Sequence, residues 1–307
     1  MKKTSLLLAT CLLLLSCGGT RQTPEDSAVK WNEGDIKGKV KSIIVTNTQY
    51  LVDHDGDSSE GISPDVMLQV YNTKGQLSES RWYDHDSILV QRLLFEYDIN
   101  GQLTRNDYID YSKETGQVDS SYFLFTYNDG KIAKEETYRA GKLNSWSETA
   151  YNDNGDISLF QLFRDGKLVS ESKYEYLYND DKRKVEEKTH TNGSPSLTVS
   201  WEYDGNGRTL SAKTKDGSIA FAESYQYDDK GHLIKETLTP DGMGMKRVST
   251  YLYDSNGNMV EYLQKTEEGN IIRCCCYTYD MHGNWIHSTE EHGAIRMVCE
   301  RKIEYYE

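Results

Sequence analysis

The chain has 307 residues and is acidic, with 35 Lys and Arg side chains against 49 Asp and Glu and a formal net charge of −14 at pH 7. This balance argues against nucleic acid as a partner, because duplex binding depends on basic side chains that contact phosphates. Hydrophobic residues make up 36% of the chain, but 23 tyrosines can add core area through their rings while their hydroxyls reach polar partners.

The N-terminus predicts an export signal over residues 1–16. Lys2 and Lys3 precede an apolar run from Leu6 to Leu15 that is too short to span a bilayer as a mature helix. The run ends on Leu-Leu-Ser-Cys-Gly at Cys17, which resembles the bacterial lipobox. That resemblance implies acylation of Cys17, with palmitate-type chains as the membrane anchor. The alternative is an ordinary cleaved signal followed by an incidental cysteine.

Residues 17–35 are polar and predict a lipidated flexible tether before a domain over residues 36–307. Gly18, rather than Asp, follows Cys17. In a Gram-negative host the resemblance therefore implies an outer membrane lipoprotein, held to the membrane through its lipid. The sequence leaves open whether the domain faces the periplasm or the cell surface.

An acidic loop follows the first predicted strand, which begins near residues 38–45. Asp53, Asp55 and Asp57 place carboxylates at alternate positions, an arrangement that calcium favours. The loop departs from the EF-hand pattern, because the twelfth position from Asp53 is Pro64 rather than Glu. The same residues are also typical of an ordinary acidic hairpin loop, and both interpretations stay open. We expect no other metal and no cofactor.

A tyrosine followed by Asp or Asn and then by Gly recurs about every 26 residues through the rest of the chain. The copies begin at Tyr71, Tyr97, Tyr127, Tyr151, Tyr178, Tyr203, Tyr227, Tyr253 and Tyr279. Apolar and polar residues alternate before each tyrosine, which predicts a strand with one buried face. The Asp or Asn and the Gly predict a tight turn, and an apolar residue after the Gly begins a second strand.

Each copy therefore predicts a two-stranded hairpin, and consecutive hairpins extend an antiparallel meander. We predict an all-β fold, an antiparallel β-hairpin repeat meander of about 18 strands, with the first strand beginning near Gly38 to Val45 and the last running from Cys299 to Tyr306. That number exceeds what a strongly twisted open sheet usually holds. We therefore expect the meander to curl into an elongated, coiled or partly closed sheet.

Units such as Tyr97-Asp98-Ile99-Asn100-Gly101-Gln102-Leu103 resemble the YD repeats of Rhs and teneurin-type proteins. With the lipobox and the ending from Tyr277 to Trp285, the chain resembles the small YD-repeat lipoproteins of Bacteroidota. Other units, such as the one from Tyr138 to Leu143, resemble MORN-type repeats. In either family the resemblance implies a scaffold without catalytic residues. Two departures are the missing Gly after Tyr178 and the shifted apolar position at Leu210.

Four cysteines cluster near the C-terminus, at Cys274, Cys275, Cys276 and Cys299, with His282, His287 and His292 nearby. Strand alternation places Cys275 on the buried face and its two neighbours on the other, which disfavours a zinc site. One intervening strand would hold Cys276 and Cys299 about 9–10 Å apart, beyond disulfide reach unless the sheet coils back. Whether these thiols form disulfides stays open.

No catalytic motif is present, so we expect a non-enzymatic protein with no catalytic residues. Exposed aromatic residues of such a sheet can contact sugars or proteins, and Trp82 and Trp146 are the predicted ligand contacts; Trp201 and Trp285 are expected in the core. We expect a binding or structural scaffold for a glycan or an envelope protein. The alternatives are an envelope glycan hydrolase with two convergent carboxylates, and an accessory or immunity protein of a secreted toxin system.

Overall fold

A computed structural model describes residues 36–52, 62–111, 116–242 and 244–307. Within these ranges, no helix is long and apolar enough to cross a membrane. The chain forms twenty strands, namely β1 (Val40–Leu51), β2 (Ile62–Tyr71), β3 (Leu77–Tyr83), β4 (Leu89–Tyr97), β5 (Leu103–Tyr111), β6 (Val118–Asn128), β7 (Lys131–Arg139), β8 (Lys142–Tyr151), β9 (Ile157–Arg164), β10 (Lys167–Tyr178), β11 (Lys184–Thr191), β12 (Ser194–Tyr203), β13 (Thr209–Asp216), β14 (Ile219–Tyr227), β15 (Leu233–Asp241), β16 (Arg247–Tyr253), β17 (Met259–Thr266), β18 (Ile271–Tyr279), β19 (Trp285–His292) and β20 (Ile295–Tyr305).

Each strand pairs antiparallel with the next along the chain, and β1 also pairs with β20, so the sheet is a closed barrel. The predicted antiparallel meander is confirmed. The expectation of a coiled or partly closed sheet of about 18 strands was wrong. The nine hairpins supply β2 to β19, and the two strands outside them, β1 and β20, pair with each other and remove both open edges.

The turn after each repeat tyrosine, here called a YD turn, is built by one side chain. In the turn after Tyr97, Oδ1 of Asp98 accepts hydrogen bonds from the backbone N–H groups of Asn100 (2.9 Å) and Gln102 (2.8 Å). Gly101 closes the turn at a φ of 86°, where a β-carbon would be strained. The register then shifts between Glu96 and Tyr97, which marks the predicted bulge.

Two turns of the same form use residues other than glycine at the closing position. After Tyr178, Lys182 takes a φ of 61°, and its N–H still bonds to the Asn179 carbonyl at 2.9 Å. Between β3 and β4, Ser87 takes a φ of 60° in a turn headed by Asp84. The second turn joins two hairpins rather than the strands of one, and it has no glycine at its closing position.

Tyrosine hydroxyls join each hairpin to the one before it. The Tyr253 hydroxyl, for example, donates to the Leu233 carbonyl at 2.8 Å, where the second strand of the preceding hairpin begins. The same bond is made by Tyr97, Tyr127, Tyr151, Tyr176, Tyr203, Tyr227 and Tyr279. At the repeat without a closing glycine the donor is Tyr176, and the Tyr178 hydroxyl bonds to Asp156 instead. The repeat tyrosines therefore fasten neighbouring hairpins as well as filling space.

The strands alternate between an inner and an outer face. Buried inward side chains form two apolar clusters, one on β12 to β16 around Trp201 and Tyr251, and one on β1 and β2 around Ile43. Outward positions carry ion pairs within and between strands, as between Lys134 and Glu136 at 2.9 Å. The two buried apolar clusters therefore lie inside the barrel, and the outer face carries ion pairs together with exposed apolar side chains such as Leu177 and Leu252.

The segment before β1 is attached to the last YD turn, at the end of the barrel where all the YD turns lie. The Asn284 carboxamide accepts a hydrogen bond from the Lys37 N–H and donates one to the Lys37 carbonyl, both at 2.7 Å. Asn284 also donates to the Tyr305 hydroxyl at 2.8 Å, and Tyr305 in turn bonds to Asp280. One buried side chain thus joins the beginning of the domain to its last strands.

Candidate functional site

A polar pocket lies inside the barrel, on the inner face of β15 to β18. Its volume is about 460 Å³, within the range of small-molecule sites. Leu238 and Met259 supply apolar surface. The polar lining includes Glu236, Arg247, Tyr251, Tyr262, Gln264 and Arg273.

Hydrogen bonds hold much of this lining in place. The buried Tyr251 hydroxyl donates to Oε2 of Glu236 at 2.8 Å. Gln264 Nε2 donates to the Ser249 hydroxyl at 3.4 Å, and that hydroxyl lies 3.4 Å from the Tyr262 hydroxyl. The rings of Tyr251 and Tyr262 meet at 5.3 Å with an interplanar angle of 51°. Polar atoms are therefore presented on three strands with limited freedom to reorient.

Charge in the pocket is partly balanced. Arg273 forms an ion pair with Glu290, with Nε to Oε1 at 2.8 Å and Nη2 to Oε2 at 2.9 Å. Burial lowers the pKa of the Arg273 guanidinium, but its hydrogen bonds to the Glu290 carboxylate and the negative charge of that carboxylate raise it by more. The net effect is a raised pKa. Burial also raises the pKa of the Tyr262 and Tyr277 hydroxyls, so both remain neutral hydrogen-bond donors at physiological pH.

A second carboxylate lies next to the pocket. Glu223 on β14 is 9% exposed and accepts a hydrogen bond of 3.1 Å from Tyr225. The register pairs Tyr225 with Glu236, so Glu223 and Glu236 are diagonal neighbours on the inner face. The backbones of such neighbours are typically about 7–8 Å apart, so the two carboxylates lie on the same region of the inner face.

The two predicted tryptophan contacts lie on opposite faces. Trp82 shares the inner face with Ser80 and is in register with Met67 and Gln91. Trp146 points outward, stacks on Phe163 at 4.8 Å and 4°, and donates from Nε1 to Glu148 at 3.2 Å. Neither lines the pocket.

The two tryptophans expected in the core differ in burial. Trp201 belongs to the inner cluster and is 7% exposed. Trp285 is half-buried, meets the Tyr277 ring edge-on and lies 3.6 Å below the Arg301 guanidinium. Strand alternation therefore placed Trp201 correctly and overstated the burial of Trp285.

The C-terminal cysteines are free thiols split between the two faces. Cys275 is completely buried on the inner face, and Cys274 and Cys276 point outward. Burial raises the pKa of Cys299 to about 11, and burial together with the Cys276 thiol raises that of Cys274 to about 11. Within the described ranges, no three His, Cys, Asp and Glu side chains are arranged to hold a metal ion.

The lipidation residue Cys17 and the candidate calcium ligands Asp53, Asp55 and Asp57 lie outside the described residues. The sequence did not single out the pocket residues Glu236, Arg247 and Arg273. A signal was present, because each occupies the inward phase of its strand, where apolar residues are the rule.

Comparison with solved structures gave several likenesses of low identity. A crystal structure of TcdB2-TccC3-Cdc42 has 14% identity and a TM-score of 0.38, covering 80% of this chain and 15% of that chain. A porin-like protein from Bacteroides uniformis has 10% identity and a TM-score of 0.36, covering 88% of this chain and 99% of that chain. The chain therefore spans about 15% of the length of the first of these. A comparison with curated protein sequences gave no match.

The family comparison gave a match over most of the chain. The Teneurin YD-shell family model matches residues 25–248, which include β1 to β15 and most YD turns. The matched segment holds the repeated tyrosines, their Asp and Asn turns and the hairpin pairing described above. The chain belongs to the teneurin YD-shell family.

Proposed function

We propose that this YD-shell barrel is a lipid-anchored protein of the bacterial envelope that binds a glycan in its interior pocket without catalysis. The observation that supports the proposal is the fixed polar lining, above all the Tyr251 hydroxyl bonded to Glu236 beside Tyr262 and Gln264. Sugars are bound by carboxylate and amide groups that exchange hydrogen bonds with hydroxyls and by aromatic rings that cover apolar faces. This lining offers both kinds of contact on a rigid sheet.

Isothermal titration of the full mature chain against neutral and acidic oligosaccharides tests this proposal. The variants Tyr262→Leu and Gln264→Ala should each weaken binding at least about tenfold, since they remove one ring or one hydrogen-bonding group. Gln161→Ala is the matched control, because Gln161 bonds to Glu171 on the outer face. Equal binding by all variants would place the glycan elsewhere, and binding of an envelope protein but no glycan would favour the other ligand class.

The carboxylates Glu223 and Glu236 favour glycan hydrolysis as a second candidate. The same titration mixtures should therefore be assayed for new reducing ends. We expect none, because each carboxylate is held by a tyrosine hydroxyl. Release of reducing ends that Glu236→Gln abolishes would assign hydrolysis to this pair instead.

Anchoring at Cys17 is a separate part of the proposal. It rests on the apolar run and the lipobox-like residues around Cys17, with residues 17–35 as the tether. Metabolic labelling with palmitate should mark the wild-type chain and not Cys17→Ser. Cys11→Ser is the control, because Cys11 lies inside the apolar run. Protease treatment of intact and lysed cells then distinguishes a surface-facing barrel from a periplasmic one.

A further inference from the structure

One charged group in the interior pocket is not balanced by a neighbour. Arg247 is the first residue of β16, lines the pocket and is exposed. Its guanidinium forms no hydrogen bond or ion pair with any residue that the structure describes. The other two charges of the lining differ, because Arg273 is paired with Glu290 and Glu236 accepts the Tyr251 hydrogen bond. The pocket therefore presents an uncompensated guanidinium in a chain whose net charge is −14.

The β15–β16 ladder ends at Arg247. It covers four register pairs, from Lys235 with Thr250 to Leu238 with Arg247. Strand β15 continues to Asp241, but Thr239, Pro240 and Asp241 pair only with β14. Gly244, in the connection to β16, packs against the Pro240 side chain. Arg247 therefore lies at the end of the ladder, where its side chain is exposed.

The order of the lining residues along the strands gives the pocket a direction. Leu238 and Thr266 flank Arg247 in register on the neighbouring strands. Glu236 is in register with Ser249, one inward position further from the end of the ladder, so it lies deeper than the exposed Arg247. A ligand that enters past Arg247 meets a cation first and the carboxylate, tyrosines and Gln264 behind it. An anionic group fits the outer position, and hydroxyl groups fit the inner one.

We infer that Arg247 binds the anionic substituent of a sugar, so that the pocket prefers acidic glycans to neutral ones. This inference rests on the proposed function. A guanidinium donates two parallel N–H bonds to a carboxylate or a sulfate, and such charge-assisted bonds are stronger than neutral ones. The ring hydroxyls of the same sugar are then directed toward Glu236, Tyr262 and Gln264.

The test is titration of the full mature chain with three matched oligosaccharides at fixed ionic strength: a galacturonate, a sulfated galactoside and a neutral galactoside. Wild type should bind the two acidic sugars at least about tenfold more tightly than the neutral one. Arg247→Gln should remove that preference, so that the affinities for the acidic and the neutral sugars differ by no more than about twofold. Arg247→Lys should keep part of it, because the charge remains without the planar pair of donors.

Arg296→Gln provides the matched control. Arg296 forms an ion pair with Glu291 away from the pocket, and the substitution removes one positive charge, as Arg247→Gln does. Circular dichroism and urea unfolding show whether each variant is folded. An acidic-to-neutral affinity ratio that Arg247→Gln leaves unchanged overturns the inference while glycan binding stands. Absence of binding for all three sugars overturns both. If wild type prefers only one of the two acidic sugars over the neutral one, that result identifies the group that Arg247 selects, either carboxylate or sulfate.

Discussion

The hydroxyl of Tyr253 donates a 2.8 Å hydrogen bond to the main-chain carbonyl of Leu233, twenty residues earlier. Equivalent bonds recur around the barrel from hairpin to hairpin. A strand-end carbonyl next to a bulge lacks a regular ladder partner, and the tyrosine supplies one. Phenylalanine at this position of the repeat would leave a backbone carbonyl of the preceding hairpin without a donor, and tyrosine supplies that donor.

Tyr253→Phe keeps the ring and removes this bond. We expect a loss of about 1 kcal/mol in the free energy of unfolding, because the Leu233 carbonyl is left half-buried without its donor. Urea denaturation measures the loss. Tyr122→Phe is the control, since the Tyr122 ring stacks on Tyr138 and its hydroxyl bonds to no described residue. Equal losses in the two variants would mean that the hydroxyl bond is not what matters.

The free energy of unfolding should fall at alkaline pH, because an ionised tyrosine hydroxyl can no longer donate this hydrogen bond. Burial raises the pKa of Tyr253 to about 12 and that of Tyr279 to about 12. The unfolded chain loses these protons near pH 10. The stabilisation is therefore complete below pH 10 and is lost as the pH rises from 10 to 12. Unfolding midpoints across this range should decline less steeply in Tyr253→Phe than in wild type, and parallel curves would contradict the assignment.

Lys182 occupies a left-handed conformation that the other repeats give to glycine. Lys182→Gly should raise the free energy of unfolding by about 0.5–1 kcal/mol, because relief of strain at a φ of 61° exceeds the added entropy of the unfolded chain. Lys230→Gly is the matched control inside a regular YD turn, where φ is not positive. It should be neutral or destabilising by up to about 1 kcal/mol in the same thermal or urea titration.

Asn284→Ala should weaken closure of the barrel. The variant leaves the Lys37 N–H and carbonyl without partners, and we expect a loss of about 2–4 kcal/mol. Amide hydrogen exchange should increase over β1 and β20 before it increases over β12 to β16. Asn258→Ala is the control, because the Asn258 side chain bonds to the exposed Lys37 ammonium at 3.3 Å and to Asp254 in its own turn at 2.9 Å, and to no backbone group of Lys37. Uniform exchange across the barrel would show that Asn284 does not act locally.

Much of the local structure was predictable, because it depends on neighbouring residues. The Tyr-Asp-x-x-Gly spacing predicted the hairpins, the bulged turns and the buried face of strands such as β14 and β18. Lys182 shows how robust the pattern is, since the turn after Tyr178 forms without glycine. The turn at Ser87 was missed because neither Gly nor a repeat tyrosine at the usual spacing marks it.

Closure and the pocket were not predictable in the same way. Whether β1 meets β20 depends on the twist and curvature summed over every hairpin, and no single residue records that sum. Arg247 and Glu236 line one pocket only because the four strands β15 to β18 curve around a common interior. The sequence showed charges in an inward phase, but it did not show that they share one cavity.

The longest ladder in the barrel joins its first and last strands, with 11 register pairs from Val40 with Tyr305 to Leu51 with Ile295. Contacts this distant along the chain form late, because the entropy of the whole intervening loop must be lost first. The edge of β1 stays unpaired while the hairpins form in order, until β20 pairs with it. The partly folded chain is thus an open sheet able to pair with a second chain, and docking of β20 ends that exposure.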